Sequence, residues 1–224
     1  MNTELKNIDI DDIDDLLIKI EDSFNIKFVD NELTDVTTFG ELCDCIANKI
    51  QLEKSEDCTY QMAFYKLRDA ISATFSIDKK TISPDFLLSE FLPRKNRRKN
   101  IQKLEEKLGL KINTLSPKLW TAIVCIILFL ASIVLGGIFG WKVLFGGFVI
   151  SIFCLWIAFK TGKELNIKTV GELAKKMARE NYLKSRRNPN TFNKNEIEKI
   201  LTDWFSDEFR IEKNNLTRNA EFSK

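Results

Sequence analysis

Residues 119–159 read LWTAIVCIILFLASIVLGGIFGWKVLFGGFVISIFCLWIAF, with Lys142 as the only charge. As a single helix rising 1.5 Å per residue, this stretch would be roughly 60 Å long, about twice a hydrocarbon core. Two passes fit better, one from Leu119 to about Phe139 and one back from about Val143 to Phe159. The turn between them is expected at Gly140-Trp141-Lys142, where a glycine, an interfacial aromatic and a snorkelling lysine coincide. The sequence therefore predicts a transmembrane helical hairpin over 119–159.

Charge is distributed unevenly around that hairpin. The 224 residues carry a net charge of +2. Residues 1–92 hold 9 basic and 20 acidic side chains, whereas residues 93–118 hold 9 basic and 2 acidic ones. Residues 160–224 hold 15 basic and 10 acidic ones. Lysine and arginine thus crowd both flanks and leave the turn with Lys142 alone. By the positive-inside rule both termini belong in the cytoplasm of a bacterial-type inner membrane. The first residues are acidic and polar, without the basic and apolar regions of a secretory leader.

Composition also narrows the chemistry. With no histidine, His-dependent triads, His general bases and imidazole metal sites are excluded. Cys43, Cys45 and Cys58 lack paired CxxC spacing, and Cys125 and Cys154 fall in the spans, so all five read as structural thiols. Aspartates 9, 11, 12, 14 and 15 lack the glycine turn and closing glutamate of a calcium loop, and read as a solvated helix start. No cofactor, metal or catalytic residue is expected.

Outside the spans the patterning is helical, without an alternating strand. Residues 1–52 form an acidic module: a helix over 9–24 presents Ile13, Leu16, Leu17, Ile20 and Phe24, and Thr38-Phe39-Gly40-Glu41 reads as a capping box for a second helix. Residues 59–112 form another module, with Phe64, Leu67, Ile71 and Phe75 on one helix face. Ser83-Pro84 reads as the start of a short helix, and a basic amphipathic helix at 94–108 ends at Gly109. Ser116-Pro117 is expected to open the hairpin. Residues 165–224 form the last module, in which Thr169-Val170-Gly171-Glu172 repeats the capping box and Ile197, Ile200, Leu201, Trp204 and Phe205 make a stripe. With both termini in one compartment, the Phe64–Phe75 and Ile197–Phe205 stripes are expected to meet. The fold class is all-α.

Internal echoes accompany these starts. Thr38-Phe39-Gly40-Glu41-Leu42 matches Thr169-Val170-Gly171-Glu172-Leu173, and Phe28, Leu33-Thr34 and Phe39 match Ile211, Leu216-Thr217 and Phe222 at one offset.

The stretches IEDSFNIKFVDNELTDVTTFGELCDCI (20–46), KLRDAISATFSIDKKTISPDFLLSEF (66–91) and LEEKLGLKI (104–112) resemble acyl carrier proteins, which are small acidic four-helix bundles. The first is similar to that family's second helix with the loop and short helices after it. The second is similar to its first helix and long loop, and the third to another copy of the second helix. Together they cover roughly half the chain. The family attaches phosphopantetheine to the serine of an Asp-Ser-Leu signature opening the second helix. Aligned on Phe24, that place holds Asp9-Ile10-Asp11-Asp12; aligned on Leu108, it holds Pro93-Arg94-Lys95-Asn96. The one Asp-Ser pair, Asp22-Ser23, lies near a helix end and is followed by Phe24-Asn25. The resemblance therefore implies bundles used as interaction modules, without the carrier arm.

Two groups of residues are candidate sites. Arg94, Lys95, Arg97, Arg98, Lys99, Lys103 and Lys107 form a basic stretch some twenty residues before the hairpin. Anionic lipid is its expected partner, at about 1 kcal/mol per basic residue near the surface. An acidic protein partner, or the chain's own acidic module, comes second, and nucleic acid is disfavoured because no base-reading aromatic pattern accompanies the charges. In the spans, Gly136 and Gly140 form a GxxxG spacing and Gly146-Gly147 lie early in the return pass; these serve packing within the hairpin or self-association. The functional expectation is a non-enzymatic, membrane-anchored interaction or scaffold protein. A membrane-associated carrier or lipid-metabolism accessory and an oligomeric channel or transporter subunit are the alternatives.

Overall fold

The computed structural model describes residues 5–8, 13–29 and 31–223. It is mostly helical. The helices are α1 (Asp14–Phe24), α2 (Phe39–Lys49), α3 (Thr59–Phe75), α4 (Leu88–Phe91), α5 (Arg97–Leu108), α6 (Leu119–Phe139), α7 (Trp141–Thr161), α8 (Val170–Glu180), α9 (Tyr182–Ser185) and α10 (Lys194–Phe209). Four two-residue strands join them: β1 (Glu53–Lys54) runs parallel to β4 (Thr191–Phe192), and β2 (Leu115–Ser116) antiparallel to β3 (Glu164–Leu165). The chain divides into two compact units, Met1–Asp85 with Val170–Lys224, and Phe86–Thr169. Of the acidic run, residues 9, 11 and 12 lie outside the described residues, while Asp14 and Asp15 open α1, where carboxylates suit the positive helix end.

The first unit draws its core from both ends of the chain. Leu16, Ile20 and Phe24 of α1, Phe39, Leu42 and Ile46 of α2, and Ile197, Leu201, Trp204 and Phe205 of α10 share one apolar cluster with Ile211, Leu216 and Phe222. Phe39 meets Phe205 edge-on with ring centroids 5.2 Å apart, and Phe24 lies 4.9 Å from Tyr182. The meeting expected between the Phe64–Phe75 and Ile197–Phe205 stripes does not occur. Instead α10 packs on α2, and α3 packs on α8. The buried face of α3 is centred on Ala63, Leu67, Ala70 and Ile71, with Phe64 and Phe75 only half-buried. Small residues explain the choice of partner: Ala63 and Ala70 oppose a helix whose own buried face includes Gly171, Ala174 and Ala178, so two narrow faces can approach closely.

The echoed helix starts share a glycine contact. At Thr38 the capping box is complete: Glu41 N–H donates to Thr38 Oγ1 (3.2 Å), and Glu41 Oε2 accepts from the Thr38 N–H (3.0 Å). Gly40 N–H donates to the Arg218 carbonyl (2.8 Å), and Gly171 N–H donates to that of Pro84 (2.7 Å). A Cβ at either glycine would come within 2.7 or 2.9 Å of the same oxygen, so only glycine admits the contact. This contact explains why Ser83-Pro84 does not start a helix; its carbonyl serves α8, and α4 begins later, at Leu88.

In the second unit α6 and α7 form the hairpin. They are joined by Gly140 alone, at φ +95°, so Trp141 and Lys142 belong to α7 and not to the turn. Ser116 likewise is not a helix cap. It pairs with Glu164 in the β2–β3 ladder, which closes the open end of the hairpin two residues before α6 starts. Gly162 sits against this ladder, where a Cβ would lie 2.5 Å from the Ser116 carbonyl oxygen. As the glycine anticipated, α5 ends at Gly109 with φ +69°, and Leu110 behind it is buried.

Candidate functional site

The second unit brings the expected basic residues to the open end of the hairpin, but divides their roles. Arg97 opens α5 and is 8 % exposed; its Nε donates to the Leu92 carbonyl (2.9 Å) and its Nη1 to that of Lys163. Beside it Arg94 pairs with Glu164 (2.6 Å). These two arginines therefore clip the chain before α5 to the chain after α7. Lys95, Arg98, Lys99, Lys103 and Lys107 remain on the exposed surface. Their placement follows from the helix period, since Ile101 and Leu104 turn inward and leave the intervening positions outside.

A cavity of about 520 Å³ opens between the first turns of α5, the Asn113–Leu115 segment and Phe159 of α7. Arg98, Lys99 and Gln102 are among its polar lining residues, and Ile101, Leu115 and Phe159 among its apolar ones. Glu105 is also in the wall, where its Oε1 accepts from the Ile112 N–H (2.9 Å). Thr114 lines it too. This residue is 1 % exposed, and its Oγ1 has no hydrogen-bond partner. Residues 97–100 are Arg-Arg-Lys-Asn, and the N-cap residue Asn96 makes no side-chain cap bond. Three cations thus sit at the positive end of a helix dipole without a carboxylate in that turn; Arg97 is engaged with carbonyls, and the exposed Arg98 and Lys99 favour an anion.

Of the five glycines in the hairpin, the four expected to serve packing are not equivalent. A Cβ on Gly136 would lie 2.5 Å from Leu144 Cβ, and one on Gly147 would lie 2.1 Å from Ser132 Cβ. Gly146 has nothing within 4 Å, and Gly140 forms the turn. Gly136 and Gly147 are therefore where α6 and α7 touch. Ser132 Oγ donates to the Phe129 carbonyl (2.7 Å) and Ser151 Oγ to that of Gly147 (2.8 Å), so both hydroxyls are satisfied by their own helices. At the open end Lys160 Nζ lies 4.5 Å over the Trp156 ring.

The first unit holds a polar centre that the sequence did not reveal. Arg186, fully buried, donates from Nη1 to Thr59 Oγ1 (2.7 Å), Tyr182 Oη (3.1 Å) and the Asp57 carbonyl (3.1 Å), and from Nε to Thr191 Oγ1 (3.2 Å). Glu196 Oε2 stands 3.5 Å away and also accepts from Thr59 Oγ1 (2.6 Å). Burial raises the Tyr182 pKa, which keeps its hydroxyl protonated. Burial lowers the Lys66 pKa, although its Nζ donates to the carbonyls of Lys184 and Arg186. With every strong donor of Arg186 matched, this centre ties the Ser55–Thr59 segment to α9 and α10, and is a structural staple.

Ser23 of the Asp22-Ser23 pair is equally occupied. It is 3 % exposed, its Oγ donates to the Arg179 carbonyl, and it accepts from the Tyr182 N–H (3.0 Å). Its hydroxyl secures the end of α8. Cys43 is buried, and desolvation pushes its thiol up to about 12, which makes it inert. Among the described residues no cluster of three or more His, Cys, Asp or Glu is placed to hold a metal ion. No family model matches the chain, and no curated protein or solved structure is significantly similar to it.

Proposed function

We propose that the protein is a non-enzymatic, membrane-anchored interaction protein. The α6–α7 hairpin spans a cytoplasmic-type membrane, and the flanking helical modules share the cytoplasm as docking units. One observation carries this reading. Two 21-residue apolar helices are joined by a single residue, and the apolar windows within them, 119–137 and 144–161, are only 18 % and 6 % buried. A soluble protein would cover such helices in its core. Here Ile126, Ile127, Leu130, Val134, Phe145, Ile150 and Phe153 all face outward, and lipid is the medium that accepts them without loss.

The orientation rests on charge and aromatic placement. Lys118, Lys160 and Lys163, with the α5 cations, lie at the open end beside Trp120 and Trp156, and Trp141 with Lys142 begins the return pass after the turn. The interaction role rests on the resemblance to carrier bundles that lack the attachment serine, and on the engaged Ser23 hydroxyl. Reporter fusions at each terminus and after Gly140 test the layout. The expected result is alkaline phosphatase activity only for the Gly140 fusion and fluorescent-protein emission only for the terminal ones; phosphatase activity at either terminus would overturn it.

A further inference from the structure

We infer that the cavity between α5, the Asn113–Leu115 segment and Phe159 binds the headgroup phosphate of one anionic phospholipid. The inference rests on the membrane-anchored reading and assigns that anchor a specific lipid. Three observations lead to it.

The walls match an amphiphile. Arg98, Lys99 and Gln102 offer donors to the cavity, and Ile101, Leu115 and Phe159 contribute apolar surface to the same lining. A free phosphate ion would use only the first set. A phospholipid would use both, with its phosphate at the cations and the first methylenes of an acyl chain along Phe159.

The polar side has unfilled capacity. The side chains of Arg98 and Lys99 stand exposed in the first turn of a 12-residue helix whose N-cap side chain contributes no bond. Glu105, the acid in the wall, already has one oxygen committed to the Ile112 N–H. The balance favours an anion that also accepts hydrogen bonds.

The height is right for a headgroup. Phe159 lies three residues past Trp156 on α7, and Trp156 carries Lys160 over its ring, an aromatic–cation pair typical of the lipid–water boundary. The cavity therefore opens where headgroup phosphates of the surrounding leaflet lie.

The full chain in nanodiscs, followed by native mass spectrometry of lipids retained on the released protein, provides the test. With mixed phosphatidylglycerol and phosphatidylcholine, one phosphatidylglycerol per chain is expected to persist. Arg98→Gln with Lys99→Gln should weaken retention on the order of tenfold. Lys95→Gln with Lys107→Gln removes the same charge outside the cavity and should change retention little. Equal weakening by both pairs would reduce the effect to diffuse surface charge and overturn the site. So would equal retention of the two lipids, or displacement of phosphatidylglycerol by millimolar inorganic phosphate. Incorporation into pure phosphatidylcholine nanodiscs is read separately: a chain that fails to incorporate defeats the anchor itself, whereas one that incorporates without lipid preference defeats only this site.

Discussion

Arg186 in the first unit and Arg97 in the second are both buried, yet they are compensated in different currencies. Arg186 has a carboxylate, Glu196, and a ring of hydroxyl and carbonyl oxygens around it. Arg97 has two backbone carbonyls, those of Leu92 and Lys163, and its neighbour Arg94 holds Glu164. The first arrangement neutralises charge inside a core that closes on itself. The second leaves the cation's charge uncancelled and uses it to clip two chain segments at the open end of an apolar hairpin. The first unit thus meets the charge of Arg186 from within its own core, and the other leaves both greasy and cationic surface to be met by something else.

The comparison breaks most visibly at Arg186. Arg186→Met should destabilise the full chain by about 3–5 kcal/mol, because Glu196 then loses its cation in a mostly buried setting. Adding Glu196→Gln to that variant should restore part of the loss, since the stranded charge is removed. Arg97→Met strands two carbonyls and no carboxylate, so about 1–3 kcal/mol is expected. Urea midpoints in detergent read all three. If Arg97→Met proves the more damaging, the contrast between the two arginines is wrong.

A second contrast lies inside the hairpin. Gly147 touches Ser132, whereas Gly146 faces open space. Gly147→Val should push α6 from α7 and lower stability by about 1–3 kcal/mol. Gly146→Val should stay within about 0.5 kcal/mol. Thermal unfolding in detergent separates them, and the reverse order would mean that the glycine seam packs between copies of the chain instead of within one.

How much of this was legible follows from which signals are local. The two long apolar helices, the capping box at Thr38 and the stop at Gly109 were readable because each is written in contiguous residues with distinctive chemistry. The ends of α1, α3 and α10 were readable too, because the apolar periodicity stops at Phe24, Phe75 and Phe209; what the sequence did not signal is that Asn25, Ser76 and Arg210 close them in the left-handed conformation. Ser83-Pro84 and Ser116-Pro117 misled for the opposite reason. Both have the look of helix starts, but contacts made by residues far along the chain, Gly171 and Glu164, claimed them first. The Arg186 centre was invisible because its partners span Ser55 to Glu196. Of the basic stretch, sequence located the charges, but only packing could separate the clip formed by Arg94 and Arg97 from the outward-facing remainder.

The smallest expected effect concerns acid, and it falls on the closed unit. Glu41 is held below the ordinary carboxylate value of 4.5 by the Thr37 N–H, the Thr37 hydroxyl and the Thr38 N–H. Lys49 and the Val29 N–H do the same for Glu32. At Glu21 burial pulls upward, but Lys27 and the Phe28 N–H together outweigh it and the pKa ends low. In each case the unfolded chain takes up a proton before the folded one, so stability is fully present above pH 4.5 and is lost as pH falls through the folded values. Glu180 runs the other way, because burial raises its pKa. From 4.5 up to its folded value the folded state holds the proton more tightly, and rising pH there weakens the fold. Three low carboxylates against one raised one predict a net decline of the urea midpoint on the acid side. Glu41→Gln isolates one share: its deficit relative to the wild-type chain at neutral pH should shrink as pH drops below 4.5, because both proteins then carry a neutral side chain at the cap. A deficit that stays constant across that range would show that the carboxylate's charge contributes nothing to the start of α2.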